Sequence, residues 1–165
     1  MKNSPAKQKN FLFSYVIDHD GDPDFVGKKL VLGTQNCKAY MRPLVHKNDW
    51  IIATLGKKFP TGKTNSDFTR ANKDYWQYLI CAMQATENPK RGKIYSNNFY
   101  VFFAKPVKLK SEKSNFLALI KRGRRHKKIP LETKKVQKFL SWIKHQKHSR
   151  GKTQQAKTCN QIWAQ

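Results

Sequence analysis

VLGTQNCKAYMRPLVHKNDWIIATLG, residues 31–56, is the stretch whose reading decides the fold. It opens on a short apolar run ending at Gly33 and Thr34, then crosses a polar middle that carries Lys38 and Arg42. It closes on Asn48-Asp49-Trp50-Ile51-Ile52-Ala53-Thr54-Leu55-Gly56. Apolar and β-branched residues run without a break between Asp49 and Gly56, which predicts a turn feeding a buried strand. Two strands joined by such a connection place Asn36, Lys38 and Arg42 together at one end of a sheet. Function then turns on whether that end is a ligand pocket or a satisfied loop.

On the N-terminal side, FLFSYVI (11–17) reads as a strand closed by the turn-rich DHDGDPD. Asp18, Asp20 and Asp22 alternate as in a calcium loop, but the sixth and twelfth positions hold Pro23 and Lys29 instead of Gly and Glu. A second strand is expected over 29–33. On the C-terminal side, 57–74 is a long polar loop. Five residues separate Gly56 from Gly62-Lys63-Thr64, where a phosphate-binding loop needs four between its glycines, so Lys63 belongs to an exposed basic loop. Residues 76–86 read as a strand or a short buried helix, with aromatics and apolar continuity favouring the strand, and a further strand is expected over 98–103, with 107–109 extending the pairing. Residues 88–98 form a turn-rich link with Arg91, Gly92 and Lys93. The apolar run 116–120 leads into KRGRRHKK, and Pro130 opens an amphipathic helix with Val136, Phe139, Leu140 and Ile143 on one face.

Five or six short strands, one late helix and long polar loops predict an α+β fold, with a small curved mixed sheet or an open barrel and a C-terminal helix. The expected organisation is a flexible basic leader (1–10), one domain (11–145) and a basic, disordered tail (146–165).

The 34 Lys and Arg against 10 Asp and Glu give a net charge of +24, a field that suits a polyanionic partner. The excess is uneven: residues 1–104 hold 16 basic against 8 acidic side chains, and the remainder holds 18 against 2. Interleaved aromatics favour nucleic acid over a membrane surface. No run approaches a membrane span or a signal segment, so the cytoplasm, with nucleoid association as an option, is the expected location. Cys37, Cys81 and Cys159 lack disulfide or zinc spacing, and no cofactor is expected.

The ordered set F-S-Y-V-I-x-H-D, L-G-T-x-x-C-K with Arg42, and D-W-I-I-A-T-x-G resembles the second of the nucleotide-modification-associated domain families. The match continues through L-I-C-A-M-Q-A-T-E (79–87), the 99–103 strand, R-G-x-x-H (122–126) and F-x-x-W (139–142). The chain departs from the family pattern at Asn48 and Ala53, where the family commonly has glycine. The resemblance implies a small domain of prokaryotic and phage DNA-modification and defence systems. Its layout is also similar to PUA-like domains (EVE, ASCH, YTH), which implies an open curved sheet holding a nucleotide or modified base. DNA is favoured over RNA.

Candidate pocket residues follow from this stretch and its neighbours. Trp50 and Tyr40 offer stacking faces, Asp49 an acceptor for an exocyclic amine, and Asn36 an amide edge. Thr34 and Lys38 alternate with Asn36 along an extended segment, with Arg42 and Thr54 nearby. His19 and Asp20 either face the ligand or form a bare turn. Core packing for Trp50 and turn capping for Asp49 are the bland readings. Phosphate contacts are assigned to Lys63, Arg91, Lys93, Arg122, Gly123, Arg124, Arg125, His126, Lys127 and Lys128, with Gly123 allowing close backbone approach. His145 and His148 have no further ligand nearby and are read as a fraying helix end. Cys37 beside Lys38 is a weak nucleophile candidate set against a buried thiol. Two other function classes stay open. One is an enzyme of base modification using the same pocket, and the other is a pocketless RNA- or ribosome-associated basic protein.

Overall fold

In a computed structural model of the chain, residues 6–17, 23–33, 41–56, 74–102, 106–120, 126–146 and 149–150 are described. The larger sheet is built around β1 (Phe11–Ile17) and β4 (Trp50–Leu55), which lie side by side and parallel, in register from Leu12↔Trp50 to Ile17↔Leu55. β5 (Tyr78–Gln84) runs antiparallel to β4, and β7 (Asn98–Val101) antiparallel to β5. β9 (Lys127–Pro130) pairs with the free side of β1, while β8 (Val107–Lys108) and β10 (Ser149–Arg150) attach to β5 and β7. The sheet is mixed, curved and not closed into a barrel. A second sheet of three strands comprises β2 (Asp24–Val26), β3 (Lys29–Leu32) and β6 (Ile94–Ser96).

β1 and β4 read as near-continuous apolar runs, interrupted by the buried Ser14 and Thr54, because both of their faces are covered. Phe13, Tyr15, Ile17, Ile51, Ala53 and Leu55 pack against Phe25, Leu30, Leu32 and Ile94 of the small sheet. On the other face, Leu12, Trp50 and Ile52 pack against Phe116, Leu119 and α1 (Lys134–Ile143). Alternation then moves from apolar against polar to one apolar layer against another, as in strands buried on both sides. α1 turns Val136, Phe139 and Ile143 inward, and Phe116, Phe139 and Trp142 meet at ring distances of 5.0–5.9 Å. Among the described residues no helix is long and apolar enough to cross a membrane.

Four boundaries differ from the sequence reading. β3 and β4, the two ends of the 31–56 stretch, belong to different sheets. Pro130 ends a strand, and the helix starts at Lys134. Asn10, expected to end a loose leader, donates from Nδ2 to Asp49 Oδ1 and to the Lys47 carbonyl, both at 2.9 Å. Ser149–Arg150, placed in the tail, pairs with β7. The apolar run 116–120 forms a 3-10 turn at Leu117–Leu119.

Candidate nucleic-acid interface

Two opposite edges of the larger sheet divide the expected site residues. At the edge where β4 begins, Asp49 is fully buried, and its carboxylate accepts from Phe11 N, His46 N and Asn10 Nδ2 at 2.8–2.9 Å. Its backbone N–H donates to the His46 carbonyl and its carbonyl accepts from Ala85 N, so this aspartate ties the start of β1 to the turn before β4. A carboxylate so engaged has no free edge for a base. Trp50 is 8 % exposed, and its ring stacks on Tyr100 at 6.3 Å and 18° within the helix-side core. Both residues are therefore corrected from pocket members to structural ones. Asp49 satisfies backbone donors, and Trp50 packs where an open stacking face was expected.

Arg42 is corrected as well. It is 9 % exposed, and its Nη1 donates to the Gly33 carbonyl at 3.2 Å and the Gly92 carbonyl at 2.9 Å. Gly33 holds φ +107, and a Cβ there would stand 2.7 Å from the Gly92 oxygen, so only glycine lets the two loops and the guanidinium come together. Thr54 is buried on the helix-facing side. Its Oγ1, like Ser14 Oγ one strand away, has no hydrogen-bond partner.

The opposite edge is where β1 and β4 end, and Gly56 N donates there to the Ile17 carbonyl at 2.9 Å. The start of β5 reaches the same edge with Lys108 beside it, and Phe102 closes β7 there by donating to the Ile80 carbonyl. The residues that bound 18–22, 57–73 and 103–105 thus include Ile17, Gly56 and Phe102, all at this carboxyl edge. β9 runs antiparallel along Phe11–Ser14 and so begins midway along β1, with Lys127 opposite Ser14. β9 covers only the first half of β1, so Lys127 stands level with Ile52 and Ile129 level with Trp50, while Ile17 and Leu55 lie beyond the start of β9 towards the carboxyl edge.

The described cations on β9 straddle the sheet. Lys127 Nζ donates to the Ala118 carbonyl at 2.5 Å on the helix side. Lys128 Nζ sits 4.0 Å from the Phe11 ring centre and 5.8 Å from that of Phe13 on the other side. His126 packs 5.8 Å from Phe13. Arg91 and Lys93 are exposed in the turn that Arg42 supports. His19, Asp20, Thr34, Asn36, Cys37, Lys38, Tyr40, Lys63, Arg122, Gly123, Arg124 and Arg125 lie outside the described residues.

Sequence reasoning passed over Asn10, Lys90 and the ion pair of Lys108 with Asp74 at 2.6 Å. Lys90 was legible, since K-R-G-K places it opposite Lys93 across a two-residue turn. The partners of Asn10 and Lys108 are set by distant pairing and left no local signal.

Among the described residues, three lysines (Lys9, Lys29, Lys108) pair with carboxylates, and no group of three His, Cys, Asp or Glu side chains is placed to hold a metal. Burial pushes the Cys81 thiol up to about 12, so it is neutral near pH 7 and unsuited to nucleophilic work. Compared with protein-family models, with curated proteins and with solved structures, the chain matches none.

Proposed function

We propose that this chain is a nucleic-acid-binding module that holds a phosphate backbone along the carboxyl edge of its larger sheet. The observation that carries the reading is charge. A net +24 over 165 residues, two-thirds of it after residue 104, opposes folding by self-repulsion and is offset by a polyanion. Lys127 and Lys128 stand at the start of the strand that follows Arg122, Arg124 and Arg125 in sequence. The resemblance to the nucleotide-modification-associated family makes DNA with a modified base the substrate class to test first. The PUA-like assignment belongs to the same proposal and is supported by an open mixed sheet with a C-terminal helix. Base selectivity is assigned to the carboxyl edge, where the segment carrying His19 and Asp20 leaves β1, and not to Trp50.

The test is fluorescence anisotropy of a labelled duplex, modified and unmodified, with an RNA duplex of equal length as a further arm. Across roughly 50–200 mM salt, log affinity should fall linearly with log salt, with a slope of about 0.9 per phosphate contact. Replacing Arg122, Arg124 and Arg125 together by Ala should flatten that slope by about 2.7. No binding at the lowest salt, or an unchanged slope in the triple variant, defeats the proposal. Equal affinity for modified and unmodified duplexes removes the base-reading part alone.

A further inference from the structure

We infer that the turn at residues 90–93 is a second phosphate-contacting element, separate from the carboxyl edge, and that the buried Arg42 is its positioning residue. The inference rests on the nucleic-acid reading above. Lys90 and Lys93 face each other across the turn, exchanging backbone hydrogen bonds at 3.1 and 2.9 Å. Both central residues have positive φ, Arg91 at +50 and Gly92 at +73, the mirror-image turn that suits a hairpin. Glycine fits that conformation freely. Arginine does not, and Asn, Asp or Gly is the ordinary choice at Arg91's position. The chain accepts backbone strain to put a guanidinium at the tip.

Charge points the same way. Lys90, Arg91 and Lys93 are all exposed, so three of the four turn residues are cations directed to solvent. Beneath them Arg42 adds a fourth positive charge, nine-tenths buried, whose Nη1 bridges the Gly92 and Gly33 carbonyls while its Nε has no hydrogen-bond partner. Among the described residues no carboxylate is paired with any of the four. A turn serving stability alone needs a neutral donor below and an Asn-Gly tip above. Four cations gathered on a braced, strained turn instead meet the need of a polyanion's phosphates. The bracing matters because a preformed turn loses less freedom on binding.

Arg91→Asn is the decisive variant, because it should fold at least as well as the wild type. Its melting temperature should be equal or higher, while the salt slope for duplex binding should flatten by about 0.9. Lys90→Ala with Arg91→Asn and Lys93→Ala should flatten it by about 2.7. Arg42→Lys keeps the charge and loses the two-carbonyl bridge. It should weaken binding in the native turn and have no further effect in the triple-variant background, a non-additivity that a purely structural role would not give. Unchanged slopes in the turn variants, with a flattened slope in the Arg122/Arg124/Arg125 variant, overturn this inference and leave the carboxyl-edge reading standing. Absence of binding by the wild type overturns both.

Discussion

Asp49 shows how a residue that looks like a ligand group becomes a structural one. Its carboxylate takes three N–H donors in a fully buried site, including one from Asn10, 39 positions away. Hydrogen bonds to a charged acceptor are the stronger kind, and a buried donor left without a partner carries its whole desolvation penalty. Asp49→Asn puts an NH₂ where one of these donors now points, so it should destabilise the fold by about 2 kcal/mol, measured by urea unfolding. A loss of duplex affinity with unchanged stability would return Asp49 to the ligand site. The sequence made the turn before Trp50 legible, because Asn48-Asp49 precedes an apolar run. It did not reveal that the acceptor capacity of Asp49 was already taken, since two of its three donors come from residues nearly 40 positions distant. Trp50 follows the same logic: its place at the strand start was readable, but the stacking partner Tyr100 lies 50 positions away.

Among the elements, β1, β4, β5, β7 and α1 were legible because their apolar patterns are long and consistent. β9 was not, because KKIP carries two lysines and owes its strand state to the free edge of β1. Short pairings such as β8 depend on side-chain ties of the same non-local kind. Lys108 on β8 pairs with Asp74 at the entry to β5, and this hydrogen-bonded cation holds the Asp74 carboxyl below its ordinary 3.8. A carboxyl depressed in the folded state contributes stability above its unfolded pKa and loses it as pH falls through the folded value. Lys108→Met should therefore lower the melting temperature slightly at neutral pH. The difference from wild type should close as pH falls below 3.8. The partner effect has the opposite sign: the Lys108 ammonium is held above its ordinary value, so its contribution is lost only in the strongly basic range. Both side chains are partly exposed, which keeps the effect small and salt-sensitive. A difference that persists undiminished in acid would assign the loss to packing of the lysine stem over the Tyr78 ring, 5.9 Å from its ammonium, and not to the ion pair.

At the scale of the whole molecule, the α+β class and the basic character were readable from composition and period, while the partition of the site between two edges was not. Parallel pairing of β1 with β4 decides that partition. It sends both strands out at one end, so the segments after Ile17 and Gly56 start together, while Asp49 and Trp50 stay at the other. Nothing local in the 31–56 stretch says whether its final strand pairs with β3 or with β1. The charge acts on all of this at once. With +24 over 165 residues, repulsion between cations works against the compact state, and screening relieves it over distances of about 10 Å at 0.1 M salt. Stability should therefore rise with salt, so that the melting temperature in sodium chloride climbs between roughly 20 and 200 mM. A duplex should give a larger rise at the low-salt end, because binding to the folded state alone adds about 2.7 kcal/mol at a hundredfold excess over Kd. That added rise should shrink as salt increases, since the same ions that screen the repulsion also weaken phosphate contacts. The two curves should converge at high salt. A melting temperature that is flat or falls with salt in the free protein would mean that the cations are already neutralised within the fold, and the electrostatic case for a polyanionic partner would go with it.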